Sequence, residues 1–559
     1  MKRIGLSLFF AVFFFYAATA QQQLAKPSPQ QYAWQEQGRI MFVALDPCTW
    51  QGREYDNHSI PLSRINPTKL NTDQWCSVAK SWGAKEILFV AKHTGGFCWW
   101  QTHATDYGIR NTPWKDGNGD VLAELSKSCK KFGLNLGVYI YPGDESWGAG
   151  IGSGGRTKDA SKQEAYNKVY RQELTEVLTK YGDITEVWFD GSCIINVKDI
   201  LAKYAKHAVI FQGPQATLRW VGNEDGIAPY PAWNSLSSAD LKTGVSTAVQ
   251  GNPDGNAWAP LECDLPLYNH YWFWSAANEK KRISLGDLMN VYYKSVGRGS
   301  VMLLNSTPDT TGLIPEGDAL AYSEFGKEIE RRFEHPLASV TNKNNNFAEI
   351  NFQSPTTINH AVIMEDYRNG ERIRAYIVEG LVNGHWEKLS DGSSVGRKKI
   401  DWFDNVSVSK VRIRITKSVG KALIRSFSVY KIDNTPELSE KAVVNTGWQY
   451  LNSWTSEMLK TGKTSITLNL TPFITQPGQY EVKFEQSGGK SKLKIINAEL
   501  LYEGEKTLPE FLIQKGNTFY INRTAQVTNE TSSVLNVTFG SENGTDCVGS
   551  IYFRLHPTE

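Results

Sequence analysis

Three apolar runs in this 559-residue chain end in carboxylates, and those endings carry its strongest chemical signal. Glu186-Val-Trp-Phe-Asp190-Gly191 closes on an aspartate and then a glycine, which lets the backbone turn and a ligand approach. Arg219-Trp220-Val-Gly-Asn223-Glu224-Asp225 sets carboxylates beside an arginine and a tryptophan, and Pro260-Leu-Glu262-Cys-Asp264 repeats the pattern. A single acidic residue is usually a helix cap or a solvated charge. Three such endings interleaved with tryptophan point instead to glycoside hydrolysis. In that reaction one carboxylate attacks or stabilises the anomeric carbon, while another, its pKa raised, protonates the leaving oxygen. Other chemistries fit poorly. The nine histidines are dispersed, no H-E-x-x-H occurs, and His93 and His103 are too far apart to share one short element, so neither metal nor cofactor is expected. No G-x-S-x-G nucleophile elbow is present. Gly150-Ile-Gly-Ser-Gly-Gly155 matches G-x-G-x-x-G but lacks a strand directly before it and a helix directly after, so a flexible loop is expected there.

The elements that must position these carboxylates alternate between short apolar runs and amphipathic segments. Candidate strands are Arg39–Leu45, Glu86–His93, Leu134–Pro142, Glu186–Asp190, Ala208–Gly213, Thr217–Gly222, Ala259–Asp264 and Ser300–Asn305. Helical periodicity covers 71–83, where Asn71 and Gln74 resemble a capping box, and 161–182, 284–296 and 318–334; Gly133 and Gly182 follow helical runs. Near-continuous apolar strands separated by helices imply parallel strands buried on both faces. About eight of them in roughly 300 residues predict a (β/α)8 barrel over 35–335, with the doubly wound sheet as the alternative. In a barrel, catalytic groups gather where strands end at the C-terminal face.

Beyond His335-Pro336 the period shortens to two. Val411-Arg-Ile-Arg-Ile415 alternates strictly and Asn383-Gly384 marks a two-residue hairpin, so two β-sandwiches are expected, over 336–433 and 440–559, which either bind carbohydrate or buttress the barrel. Lys2 and Arg3, an apolar run to about Ala17, and Ala18-Thr19-Ala20 read as a secretion signal over 1–20, which predicts a secreted or periplasmic protein. Lys+Arg number 60 and Asp+Glu 58, so removing Lys2 and Arg3 leaves 58 against 58. That balance gives no footprint for nucleic acid, and no later run is long enough for a membrane span. The seven cysteines form no C-x-x-C and read as buried thiols. Aromatic residues are abundant, with 18 Trp, 24 Tyr and 24 Phe, and such rings stack on apolar sugar faces as well as filling cores.

Several motifs together carry a resemblance. Ala91-Lys-His93-Thr-Gly-Gly-Phe-Cys-Trp99-Trp100, Asn111-Thr-Pro-Trp114-Lys, Val187-Trp188-Phe-Asp190-Gly, Arg219-Trp220-Val-Gly-Asn-Glu224, Pro260-Leu-Glu262-Cys-Asp264 and Leu303-Leu-Asn305-Ser-Thr-Pro-Asp309 resemble the motif series of glycoside hydrolase family 29, the retaining α-L-fucosidases. Their order is similar to the branch acting on α-1,3/1,4-linked fucose, and 336–433 resembles the discoidin-like sandwich that often follows this barrel. The resemblance implies Asp190 as nucleophile and Glu224 as general acid/base, with Glu262 the alternative for the second role. It further implies that His93, Trp99, Trp100, Trp188, Arg219, Trp220, Glu262 and Asp264 bind or support the sugar. Two positions depart from the family. Its first strand commonly ends in His-Phe-Gly, where this chain reads Val43-Ala44-Leu45-Asp46, and its His-His-Asp-Gly-Phe is here His93-Thr94-Gly95-Gly96-Phe97. Two histidines that normally meet sugar hydroxyls are replaced. The implied activity is therefore hydrolysis of terminal α-L-fucosides, and of related galactosides, on oligosaccharides or glycoconjugates. A catalytically silent carbohydrate-binding protein on the same scaffold is the alternative.

Overall fold

In the computed structural model the described residues are 24–241, 250–343, 346–434 and most of 449–555. The secretion signal expected over 1–20 and the start of the second sandwich at 440 lie outside them. Eight parallel strands form one sheet: β1 Arg39–Val43, β2 Glu86–Lys92, β3 Asn135–Ile140, β4 Ile184–Trp188, β5 Val209–Phe211, β6 Arg219–Trp220, β7 Leu261–Pro266 and β8 Val301–Ser306. Their order is β5-β4-β3-β2-β1-β8-β7-β6, each pair parallel. The seam between β5 and β6 is bridged by two backbone bonds, from Thr217 N (2.8 Å) and Leu218 N (3.2 Å) to Ile210 O. The sheet thus curls into the expected barrel, with each expected strand present: β4, β7 and β8 are shifted by one or two residues and the others are shorter by one to four.

The surrounding helices are α1 Pro29–Gln37, α2 Thr72–Ser81, α3 Val121–Phe132, α4 Gln163–Lys180, α5 Lys198–Tyr204, α6 Leu285–Lys294 and α7 Glu316–Phe333. Asn71 caps α2 by accepting from Asp73 N and Gln74 N, but only half of the expected capping box forms. Gln74 instead bonds Ile314 O (2.8 Å) and accepts from Ile314 N (3.1 Å), tying α2 to the loop after β8. Asp120 caps α3, and Gly133 ends it at φ 66°, a conformation glycine adopts without a Cβ penalty. Alternate residues of β1 divide the core. Ile40, Phe42 and Ala44 face the barrel interior, whereas Met41, Val43 and Leu45 meet the helices.

The lowest interior layer is polar. Glu86, Glu186 and Glu262 are fully buried there, and α1 closes that end of the barrel. Trp34 Nε1 donates to Glu186 Oε2 and Gln37 Nε2 to Glu86 Oε2, both at 2.6 Å. The fourth neighbour is Gly137, where an added Cβ would lie 2.5 Å from Glu86 Oε1, so glycine leaves the room the carboxylates occupy.

Two all-β units follow. A six-stranded antiparallel sheet spans 338–430, its long central strands bent at register shifts. Val382 pairs with His385 across Asn383 (φ 49°) and Gly384 (φ 86°), the two-residue hairpin that Asn-Gly foretold. Its Val362, Ile400, Tyr430 and Ile432 join the barrel's outer hydrophobic core, and Tyr367 and Arg425 both bind Glu36 at the end of α1. The last unit comprises a five-stranded and a four-stranded sheet around a separate core containing Trp454, Phe484 and Phe539. All seven cysteines are buried, as the sequence led us to expect.

Burial pushes the carboxyls of Glu86 and Glu262 up to about 7, repulsion from Glu262 adding at Glu86, and burial with repulsion from both neighbours drives Glu186 well upward. Unfolded glutamates titrate near 4.3, so folding retains protons in between. This contribution to stability is complete below the unfolded value and is lost as pH rises through about 7. Thermal melts from pH 5.5 to 8.5 should therefore show a fall in Tm of roughly 2–4 °C from this layer. Glu86→Gln, which keeps an acceptor for Gln37, should make that fall shallower; an unchanged slope would show that Glu86 does not titrate in this window.

Candidate active site

The C-terminal ends of the strands open onto a cavity of about 320 Å³. Each side chain reaches it through a local device of the backbone. In β2 the register against β3 shifts between Val90 and Lys92, so Ala91 and Lys92 both face outward and His93 turns to the cavity. Lys92 is locked outside between Asp144 Oδ2 (3.0 Å) and Glu173 Oε2 (2.7 Å). At the end of β4, Asp190 adopts φ 32°, a left-handed value uncommon for a side-chain-bearing residue. Gly191 follows at φ 84°, its N–H donating to the Gln212 side chain beyond β5.

Asp190 accepts a 2.8 Å hydrogen bond from the hydroxyl of Tyr139 on β3. Burial raises its pKa, opposed by that bond and by His93. Glu224, in the loop after β6, lines the same cavity but is exposed, and accepts from Trp272 Nε1 at 3.1 Å. Asp264 on β7 accepts from Trp220 Nε1 at 2.5 Å. Burial, reinforced by Glu262 and Glu224, drives its carboxyl well upward. Trp188 stacks on Phe211 with ring centroids 3.9 Å apart, and its Nε1 reaches down to Glu262 Oε1 at 2.8 Å.

The cavity wall therefore brings together His93, Trp188, Asp190, Trp220, Glu224 and Asp264 of the residues expected from sequence, along with Ala44. Four others are not brought to it. Glu262 lies one layer below, because its position on β7 points into the barrel's sealed lower interior. Arg219 is buried with its Nε on Ala259 O (2.8 Å), a backbone clamp that leaves no guanidinium edge for sugar. Trp99 packs on Phe97 and Trp50, and Trp100 bonds Glu176 of α4 (3.0 Å); both fill the space between barrel and helices. Thr94, at one of the two histidine replacements, is buried with Oγ1 3.4 Å from His93 Nδ1 and is not part of the wall.

Sequence reasoning missed Glu54 and Tyr55 in the loop after β1, Tyr139, Gln212, and Trp272 with Phe273 in the loop after β7. Strand alternation in Val138-Tyr139-Ile140 could have placed Tyr139 inward, and Tyr271-Trp272-Phe273-Trp274 is a dense aromatic run. Nothing in the pattern of the loop after β1 marks Glu54. The Gly150–Gly155 segment is a turn-rich loop packed on this side, with Gly152 N donating to Tyr141 OH at 2.8 Å, and no helix begins on it.

Comparison with known proteins bears on this geometry. The family model described as alpha-L-fucosidase matches residues 10–331. Alpha-L-fucosidase 1 of Arabidopsis thaliana is 30% identical over 456 residues, covering 73% of this chain and 88% of that protein. A solved structure from Bacteroides thetaiotaomicron superposes with a TM-score of 0.69 at 33% identity, over 73% of this chain and all of the other. The Ruminococcus gnavus GH29 fucosidase in complex with fucose gives 0.64 at 25% identity, over 75% of this chain and 96% of the other. With the model spanning more than half of the sequence, on a barrel whose open end gathers Asp190, Glu224 and Asp264, the chain belongs to the α-L-fucosidase family of glycoside hydrolases.

Proposed function

We propose that the protein is a retaining exo-glycosidase that removes terminal α-L-fucose from oligosaccharides or glycoconjugates through a covalent intermediate on Asp190. The observation that carries this reading is that Asp190 and Glu224 line one cavity, while Glu262, the other candidate acid/base, is sealed beneath it. Asp190 attacks the anomeric carbon as Glu224 protonates the leaving oxygen; Glu224 then takes a proton from water, which releases the sugar. His93, Trp188, Trp220 and Asp264 surround the sugar, with Tyr55, 51% exposed, at the mouth where the leaving group departs. The apolar run ending near Ala17 and the cleavage pattern at Ala20 support export of the protein. The motif order supports the α-1,3/1,4-acting branch. The silent-binder alternative has no specific support, because both carboxylates of a hydrolytic pair are retained in the wall.

Asp190→Asn keeps the shape of the side chain but cannot form the ester. It should lower kcat on an aryl α-L-fucoside by roughly 10⁴-fold with the melting curve preserved. Near-normal turnover by a clean variant would remove Asp190 from the role. Glu224→Ala should slow the enzyme by about 10²–10⁴-fold, the usual contribution of general acid–base catalysis. On an activated aryl substrate azide should restore much of that loss and yield the fucosyl azide. If azide rescues a Glu262 variant and not this one, the roles must be exchanged.

Specificity follows from Ala44. A wall that hydrogen-bonds every sugar hydroxyl rejects analogues strongly, since a mismatch leaves buried polar groups unpaired. Ala44 offers no donor or acceptor on the wall where the family commonly has histidine. The ratio of kcat/KM for aryl α-L-fucoside over aryl galactosides should then stay below about 10⁴, the range of a fully bonding pocket. A larger ratio would mean that other groups complete the recognition.

A further inference from the structure

One cluster of ligating side chains beside the cavity takes no part in the reaction described above. Asp46 and Cys48 lie in the loop leaving β1, and His93 at the end of β2 meets them. Cys48 Sγ is 3.1 Å from Asp46 Oδ2 and 4.0 Å from His93 Nδ1, and His93 Nδ1 is 3.7 Å from Asp46 Oδ2. A tetrahedral zinc ion with usual bond lengths to one sulfur, one nitrogen and one oxygen holds these atoms about 3.3–3.6 Å apart. All three separations are within about half an ångström of those edges.

Two further observations favour a cation. Asp46 is fully buried and its second oxygen, Oδ1, has no hydrogen-bond partner, a costly state for a carboxylate acceptor. The surroundings are also acidic, with Asp56 acting on Asp46, and Asp56 and Glu54 acting on Cys48. Asp46 and Cys48 are themselves wholly buried, whereas His93 lines the cavity, so the cluster adjoins the sugar side through His93.

We propose that Asp46, Cys48 and His93 bind a borderline-soft divalent cation of the zinc class, and that the bound ion competes with the sugar for His93 and the space beside it. The ion is an inhibitor here and not a participant in hydrolysis. Coordination takes Cys48 as the thiolate, its proton leaving to solvent, with Asp46 as carboxylate and His93 through a ring nitrogen. The competition rests on the reading of His93 as a sugar contact; the binding does not.

Cobalt(II) titrated into the reduced full-length protein tests the site without reference to activity. One equivalent should give an intense near-ultraviolet thiolate-to-cobalt band and visible bands of tetrahedral cobalt. Both should vanish in Cys48→Ala and in Cys48→Ser, which keeps a donor for Asp46; both variants should retain a cooperative melting transition and a near-wild-type kcat. Zinc should raise the apparent KM for an aryl α-L-fucoside without lowering kcat and be reversed by chelator. The Cys48 variants should be at least about tenfold less sensitive to it. No thiolate band in the wild type, or the same band in both Cys48 variants, would overturn the site. Were the protein to hydrolyse no fucoside, the cobalt spectra would still decide on it.

Discussion

The hydrogen bond from Trp188 Nε1 to Glu262 joins the two halves of the barrel interior, and much of the site depends on it. Trp188 occupies the middle of the barrel, stacked on Phe211, facing Tyr139 at 5.5 Å and meeting the edge of Phe42 at 5.6 Å. In that apolar stack its N–H would be unpaired, so the layer below must supply an acceptor. Glu262 does so, and it is electrostatically coupled to the buried Glu186, which Trp34 holds from the closing helix. The chain of contacts runs from α1 through two glutamates to Trp188 and on to Tyr139, which grips Asp190. A carboxylate layer that is expensive to bury thereby fixes the residue two positions before the proposed nucleophile.

The opposite wall is fixed by different means. β6 has only two residues and carries the loop with Glu224. It is bonded to β7, and the residues just before it meet β5 at Ile210, whose O accepts from Thr217 N and Leu218 N and whose N donates to Thr217 Oγ1 (2.8 Å). Arg219 compensates by clamping the Ala259 carbonyl, and the following β-unit adds Glu371, which receives Asn234 N (3.0 Å) and Asn234 Nδ2 (2.7 Å). Tyr230 OH reaches Ser394 O of the same unit at 3.1 Å. The first β-unit therefore braces the weakest part of the barrel.

The barrel was legible in the sequence because strands buried on both faces are near-continuously apolar, as in Ile87–Ala91 and Val301–Leu304. The carboxylates at the ends of β4 and β6 were legible for the same reason: a charge at the end of such a run has nowhere to go but the open face. Glu262 was misjudged because sequence gives a strand's alternation but not its depth. A position two residues from Asp264 faces the same way yet lies one layer lower. Trp99 and Trp100 were misjudged because tryptophan fills the barrel–helix space as readily as a sugar site. The Asp46–Cys48–His93 group was invisible, since its members come from two separate strands and match no ligand spacing.

The two cavity carboxylates sit in different environments. Asp190 is held on the barrel floor by Tyr139, with its backbone at φ 32° and the rings of Trp188 and Phe211 alongside. Such strain persists only where neighbouring contacts over-determine the position, and here Gly191 N bonded to Gln212, itself at φ 60°, supplies them. A rigid, largely dry carboxylate loses little to reorganisation when it forms a bond. Glu224 is exposed and accepts from Trp272 Nε1, and the backbone N–H of Trp272 donates to Glu54 Oε2 at 2.9 Å. A group that must give a proton to a departing sugar and then take one from water needs that access. Enclosure on one side and exposure on the other distinguish the proposed nucleophile from the proposed acid/base, two groups of the same chemistry.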